Sequence, residues 1–273
     1  MIHSIPKPGT DLYYSWLFLE KPKKDAIHRL HTFCHTLNRL LQLTEKDIFK
    51  IKWAWWQQEL HHVFESEATH PDAIALQEVI QTYKIPQALL IDYLDGIHQR
   101  YSLDHCCTEE DFKAFSYKDQ GLYQSLAAYI YGFQDPQVLH YTRAIGLALN
   151  WMDEILQIGR NFKQERVFLP LNFLSAWQEA SHTAEKEALL DQEVKKALKA
   201  YETALMLLPP QEILSQHPSL IEAKLKSQQL LLSQGHFTDL LTTYHELTPL
   251  RKYLSSWWYW RKLKKVPLYK KSR

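Results

Sequence analysis

Apolar residues recur every three to four positions along most of the chain, which is the period of an α-helix. One such stripe follows Pro22 and includes Ile27, Leu30, Phe33 and Leu37. A stripe of this width predicts a helix that packs one face on a core. No segment shows the convincing alternation of a strand, so the pattern predicts an all-α fold, a helical bundle.

Proline and acidic residues mark where the predicted helices begin, because both suit the first turn of a helix. We expect starts at Pro22, at Thr44 with Asp47 as a capping box, at His70-Pro71, at Pro86, at Thr108 to Asp111, and at Pro136. The helix after Thr44 carries the apolar stripe Ile48, Ile51, Trp55, Leu60 and Phe64. Later helices are predicted over residues 185–208, 219–234 and 248–265. No repeat or Gly/Ser linker divides the chain, which favours a single domain over residues 1–273.

Composition narrows the class of protein. The chain has 273 residues, 32 Lys+Arg against 31 Asp+Glu, and 45% hydrophobic residues, which excludes the disordered, collagen-like and disulfide-scaffold classes. Cys34, Cys106 and Cys107 lack metal-type spacing, so a reducing compartment is the simplest interpretation. The N-terminus lacks a secretory pattern and no run reaches about 18 apolar residues, so we expect a cytoplasmic protein that does not span a membrane.

Short landmark segments occur in a fixed order between Tyr13 and Leu174. They are Tyr13 to Leu19, Ala26 with Phe33-Cys34, Trp56 to Leu60, His70-Pro71 with Ala75-Leu76, Asp92 to Gly96, Tyr117 with Gly121, Gly146 to Asn150, and Arg166 to Pro170. Taken together, these segments resemble the squalene/phytoene synthase family of head-to-head prenyl transferases. The resemblance implies a helical bundle of the isoprenoid-synthase type with a central cavity.

An enzyme of that family needs two acidic motifs on facing helices, whose carboxylates hold Mg²⁺ ions on a diphosphate. At the positions that match the first motif stand Asn38, Arg39, Gln42 and Leu43. At the positions of the second stand Leu156, Gln157, Arg160 and Asn161. Amides keep the size of a carboxylate without its charge, and an arginine repels a cation. We therefore expect no catalytic residue and no cofactor, with Mg²⁺ needed only if the chain is an enzyme after all.

Other metal ligands are weaker candidates. Asp92 and Asp95 share a helix face, and Asp153-Glu154 lies one turn before Gln157, but adjacent residues point about 100° apart on a helix. His28, His31 and His35 follow the spacing i, i+3 and i+7 without a fourth partner in the sequence. Surface or packing roles are the simpler interpretation of both groups.

Three arginines suggest how an anion could bind without metal. Arg39, Arg160 and Arg166 could hold a phosphate head group directly, because a guanidinium grips phosphate with two hydrogen bonds. Tyr117 and Asn150 are further ligand-binding candidates through the resemblance. The implied ligand is a prenyl compound or a lipid.

The C-terminal tail, residues 251–273, combines nine cationic residues with no acid and is rich in Trp and Tyr. This mixture suits the headgroup region of an anionic membrane. A final helix docked on the bundle with a solvated basic face explains the tail equally well. No nucleic-acid motif is present, so nucleic acid is not expected as a partner.

Two functional hypotheses remain. The first is a non-catalytic protein similar to the complex I assembly factor branch, with an assembly or lipid-binding role, a possible protein partner and a place on the inner face of a membrane. The second is a prenyl transferase of isoprenoid biosynthesis, in which Asp92, Asp95, Asp153 or Glu154 would bind metal in place of the lost motifs.

Overall fold

The computed structural model describes residues 6–102, 108–164, 167–243 and 246–265, and the regular elements in these ranges are all helices. The first seven are α1 (Asp11–Ser15), α2 (Lys21–Asn38), α3 (Lys46–Glu65), α4 (Pro71–Tyr83), α5 (Gln87–Ser102), α6 (Glu109–Ser116) and α7 (Leu122–Tyr131). The others are α8 (Val138–Leu156), α9 (Ile158–Lys163), α10 (Leu171–Glu179), α11 (Thr183–Leu207), α12 (His217–Leu232) and α13 (Pro249–Leu263). The predicted all-α fold is confirmed.

Two helix starts form as the sequence predicts. The His70 side chain accepts a hydrogen bond from the Asp72 amide at 3.1 Å. Thr108 Oγ1 accepts one from the Asp111 amide, and the Asp111 carboxylate accepts one from the Thr108 amide at 2.9 Å, which completes a capping box. The capping box predicted at Thr44 is wrong, because α3 has Glu45 at its N-cap and no side-chain bond there.

Helix α3 does not bury the whole of its predicted stripe. Ile48, Ile51 and Trp55 are exposed, whereas Phe49 and Trp56 are almost fully buried. The two buried rings pack on aromatic rings of α5 and α2. Since α3 carries apolar residues on more than one face, periodicity alone could not identify the face that meets the core.

Helix α8 lies between the two large parts of the hydrophobic core. It packs on α7, α11 and α12, and most of its length is buried. One core cluster surrounds α8 and α11, and the other fills the space among α2, α3, α4, α5 and α7. At the contact between α7 and α8, the hydroxyls of Ser125 and Thr142 are 2.7 Å apart. That the chain forms a single domain stays a prediction.

Two glycines allow α8 to approach the π-helical turn Tyr117–Gly121 backbone to backbone. A Cβ atom on Gly146 would lie 2.4 Å from the Cα of Gly121, which is closer than any side chain tolerates. Both glycines belong to the landmark segments of the sequence, so their presence there has a packing reason.

Across the residues that the structure describes, none of the helices has both the length and the apolar character needed to cross a bilayer.

Candidate functional site

Asn38, Arg39 and Gln42, which the resemblance matches to the first acidic motif, lie at the end of α2 and just after it. Asn38 Nδ2 donates a hydrogen bond to Tyr93 Oη on α5 at 2.8 Å, and its Oδ1 is buried without a hydrogen-bond partner. Cys34, one turn earlier, is fully buried, and this burial raises the pKa of its thiol to about 12. The thiol is therefore uncharged, and Asn38 acts as a polar link between two helices.

The next motif residues turn away from the interior. Helix α2 gives way to the 3₁₀ segment Arg39–Gln42, in which both end residues are exposed. Arg39 and Gln42 line a surface groove of about 660 Å³. Its other walls include Lys52 and the half-exposed ring of Trp55. The groove thus places two cations beside an apolar surface.

The second degenerate motif spans a break in the helix. Gln157 separates α8 from α9, and Asn161 lies on α9, where its Nδ2 donates to Glu154 Oε2 at 2.9 Å. Gln157 and Arg160 line a second groove of about 510 Å³, together with Lys163 and residues 240–243. This groove also combines two cations with apolar walls.

Arg39 and Arg160 thus line two separate grooves, so among the described pockets the structure does not bring them together around one head group. Arg166, the third arginine of that hypothesis, lies outside the described residues.

Three pairs of opposite charges lie in the interior, and the sequence pattern did not predict them. Lys226 of α12 forms an ion pair with Asp153 of α8. Lys252 of α13 is 2.9 Å from Asp11 of α1. A third pair, Arg100 Nη1 with Asp119 Oδ2 at 2.6 Å, joins α5 to the π-helical turn.

Two further carboxyl groups in this region have raised pKa values. Burial raises the pKa of Glu222 to about 7, although Lys226 opposes the shift. Burial likewise raises the pKa of Glu154 to about 7, against the effect of Arg100. Lys226 shows the opposite balance: burial lowers its pKa, but the charges of Asp153 and Glu222 outweigh this and raise it overall. Lys226 therefore compensates the charge of Asp153.

The motif residues do not fit Mg²⁺. This ion prefers carboxylates in octahedral geometry, and positions 38, 39, 42, 157 and 161 supply amides and guanidinium groups. The carboxylate of Asp153, which lies one turn before Gln157, is already engaged by Lys226. Within the described ranges, no group of three or more His, Cys, Asp or Glu residues could hold a metal ion.

The remaining candidates have structural surroundings. Asn150 is buried and donates to Ser116 Oγ at 2.9 Å, which ties α8 to α6. The ring of Tyr117 lies 4.8 Å from the Arg143 guanidinium. Asp92 is exposed on α5, and Asp95 is half-buried on the same helix.

The histidines of α2 pack rather than converge. His28 and His31 lie against the ring of Trp16, and His31 Nδ1 is 3.2 Å from Tyr123 Oη. Burial lowers the pKa of His31 to about 4, so this ring is neutral at pH 7. His35 is exposed.

A feature of α12 could have revealed the interior charges. This helix buries residues on nearly all of its faces, including Leu220, Ile221, Ala223 and Leu225. A helix that is surrounded by protein must also bury its polar residues, and Glu222 and Lys226 are spaced i and i+4. The sequence analysis described this segment only as helical.

Solved structures of other proteins share the fold of this chain. The chain resembles the crystal structure of a dehydrosqualene synthase in complex with ligand, at 15% identity and a TM-score of 0.73, over 93% of this chain and 90% of the other. It also resembles squalene synthase HpnC from Alicyclobacillus acidocaldarius, at 18% identity and a TM-score of 0.71. This match covers 83% of our chain and 88% of the HpnC chain. A third similar structure is YisP from Bacillus subtilis subsp. subtilis strain 168, at 11% identity and a TM-score of 0.64. This match covers 90% of our chain and 89% of the YisP chain.

No protein of curated function matches the sequence. The squalene/phytoene synthase profile, in contrast, matches residues 5–230, which is most of the chain. The matched range includes α1 to α11 and most of α12. The chain therefore belongs to the squalene/phytoene synthase family.

Proposed function

We propose that this chain is a non-catalytic member of its family, a pseudoenzyme that binds a prenyl or lipid ligand without metal. The observation that carries the proposal is the pairing of interior charges, above all Lys226 with Asp153. A lysine ammonium already neutralises the Asp153 carboxylate, one turn before Gln157, where an enzyme would need free carboxylates for Mg²⁺. With amides at the motif positions, the chain lacks the ligands that activate a diphosphate leaving group.

The two grooves support the ligand part of the proposal. One joins Arg39 and Lys52 to Trp55, and the other joins Arg160 and Lys163 to the leucines of residues 240–241. Arginine and lysine bind phosphate, and the apolar walls suit a hydrocarbon chain. An amphiphile with an anionic head group matches both features.

The cellular role that we propose is the assembly of a membrane-bound complex, with the chain peripheral to the inner face of the membrane and in contact with a protein partner. This part rests on the resemblance to the complex I assembly factor branch, since a fold does not fix a function.

The first experiment tests catalysis. The full chain is incubated with farnesyl or geranylgeranyl diphosphate and Mg²⁺, and released pyrophosphate is measured together with any hydrocarbon product. We expect no release above the rate without protein. Release that requires Mg²⁺ and is lost in Asp153→Asn would overturn the proposal and establish a prenyl transferase.

The second experiment tests binding. Calorimetric titration with farnesyl diphosphate in EDTA should show heat that is lost in Arg39→Ala or in Arg160→Ala, which also identifies the groove. Arg29→Ala is the matched control, because Arg29 lies on the surface in an ion pair with Glu78. Absence of heat with the unmodified chain, or unchanged heat in both groove variants, would remove metal-free binding at these arginines.

The transferase hypothesis keeps one observation in its favour. Glu222 is buried and Asp153 is partly buried, both near Lys226, so this region still contains carboxyl groups. A metal would have to displace the Lys226 ammonium to use them, and the pyrophosphate assay above distinguishes the two hypotheses.

A further inference from the structure

Helix α13 buries two polar side chains as well as Leu263, and it exposes several large apolar ones. Lys252 and Ser256 are each 1% exposed, whereas Leu250 is 68%, Leu254 50% and Trp258 60% exposed. A surface helix of a globular protein normally has the reverse arrangement. The outward face of α13 therefore requires an explanation beyond the packing of the bundle.

The exposed residues form one continuous stripe. Leu250, Leu254, Trp257 and Trp258 follow the spacing i, i+4, i+7 and i+8, which places them on one side of a helix. Tyr253 is exposed beside them. Next to the start of this stripe, α1 and α13 border a groove of about 430 Å³. We call the stripe of Leu250, Tyr253, Leu254, Trp257 and Trp258 the outward face.

Contacts on the opposite side hold the helix in this orientation. Lys252 Nζ lies 2.9 Å from Asp11 and donates to the Gly9 carbonyl at 2.7 Å. The ring of Trp260 stacks on Phe18, with centroids 4.6 Å apart. Rotating α13 to hide its outward face would break the Lys252 ion pair and leave an unpaired charge in the interior.

Exposed cations continue from the outward face. Arg261, Lys262, Lys264 and Lys265 are exposed, and no acidic residue occurs from Pro249 to Lys265. The Arg261 guanidinium lies 4.8 Å from the Trp257 ring. The carboxylates nearest this helix, Asp11 and Glu246, are both engaged by Lys252.

We propose that α13 lies flat on an anionic lipid bilayer. Leu250, Leu254, Trp257 and Trp258 reach the boundary between headgroups and acyl chains, and the cations that follow meet the lipid phosphates. Tryptophan is enriched at this depth of membranes because its ring is apolar with one polar end. The proposal deepens the membrane-peripheral part of the proposed function and names the surface that makes the contact.

The charges favour a bilayer over a second copy of the chain. Two copies that met through this face would bring their four exposed cations into the same interface, and like charges there oppose association. An anionic surface instead attracts all four.

The test uses the full chain and flotation with vesicles, without Mg²⁺ or prenyl diphosphate. We expect binding to vesicles of phosphatidylcholine with phosphatidylglycerol, weaker binding to phosphatidylcholine alone, and weakening by salt. Leu254→Ser with Trp258→Ser should reduce binding by about tenfold or more, because both side chains leave the apolar layer. Ile74→Ser with Met206→Ser, which removes two exposed apolar residues from α4 and α11, should bind as the unmodified chain does.

A second readout separates contact from a loss of folding. Brominated lipids should quench tryptophan fluorescence in the unmodified chain and less in Trp258→Phe, while circular dichroism stays the same. Failure of the unmodified chain to bind anionic vesicles would overturn the proposal, as would equal binding by the serine variants of α13. A dimer in analytical ultracentrifugation that those variants dissociate, without vesicle binding, would assign the face to a second copy instead. The serine variants of α13 leave the Arg39 and Arg160 grooves unchanged, so a loss of binding in them bears on α13 alone, and the ligand-binding proposal keeps its own experiment.

Discussion

The lysines of the interior and those at the end of α13 are the same residue type in opposite settings. Lys226 is buried against Asp153, and Lys252 against Asp11. Lys262 is exposed, with its ammonium 5.6 Å from the ring of Trp258. Burying an ammonium costs several kcal/mol unless a carboxylate compensates, whereas an exposed one remains hydrated. We therefore expect the interior lysines to affect mainly the stability of the fold, and the exposed lysines to affect mainly the association of the protein with other molecules.

The largest expected effect comes from Lys226→Met. The substitution leaves the partly buried Asp153 carboxylate without its partner, so we expect the free energy of unfolding to fall by about 3 kcal/mol, the lower end of the range for a buried pair. Urea denaturation followed by circular dichroism measures the loss. Lys195→Met is the control, because Lys195 pairs with Asp191 at the surface and such pairs contribute less than about 1 kcal/mol. Equal losses in the two variants would contradict the comparison.

The second prediction concerns pH. The pKa of Glu222 rises from its ordinary value of 4.5 to about 7 on burial, so the folded chain holds this proton more tightly than the unfolded chain does. The resulting stabilisation is complete below about pH 4.5 and is lost as pH rises through about 7. Between about pH 5 and pH 8, the free energy of unfolding should fall by on the order of 1–3 kcal/mol for this group.

Urea titrations across that pH range measure the decrease in the free energy of unfolding. Glu222→Gln should remove the part of this decrease that Glu222 contributes. Glu202→Gln, at an exposed position of α11, should keep the unmodified dependence. A pH dependence that is the same in all three proteins would show that Glu222 does not contribute.

A smaller effect is expected at the second degenerate motif. Asn161→Ala removes the amide that donates to Glu154, and the loss of a hydrogen bond to a buried group costs about 1–3 kcal/mol. Since Asn161 is itself half-buried, we expect the lower end, measured by thermal unfolding. Gln164→Ala, at an exposed position just after α9, should change stability less. If the two variants are equally stable, the hydrogen bond from Asn161 does not contribute to stability and the prediction is wrong.

The smallest effect on stability is expected from Lys262→Gln. The side chain is exposed, so the free energy of unfolding should change by less than about 0.5 kcal/mol. Its affinity for anionic vesicles should nevertheless fall, because one cation that faces the phosphates is lost. A large loss of stability with unchanged vesicle binding would show that this exposed lysine behaves as we expect of the interior lysines, which would contradict the prediction.

Local patterns in the sequence predicted much of the fold. His70-Pro71 and Thr108 with Asp111 define helix starts through short-range hydrogen bonds, which depend only on neighbouring residues. The buried face of α3 was not predictable in this way. Ile51 and Trp56 are both apolar, and it is the packing of Trp56 on the Phe33 ring of α2 that decides which of them is buried.

The candidate site was predicted at its degenerate positions but not at its interior charges. The sequence shows Asn38 and Gln157 where the resemblance expects acids, and no three-dimensional information is needed for that comparison. Lys226 is different, because a lysine in a helix is normally expected at the surface. Its burial depends on α12 being enclosed by α1, α8 and α13, and this is a property of the assembled bundle.

The backbone contact between Gly121 and Gly146 also bears on how this chain can diverge. A Cβ atom at position 146 would collide with the backbone of Gly121, so any larger residue there must push α8 away from the π-helical turn, and with it Asn150 and Asp153. Gln157 and Arg160, in contrast, border an open groove and can be exchanged with little effect on packing. Substitutions at these two positions are therefore compatible with the same helical architecture, whereas a substitution at Gly146 is not.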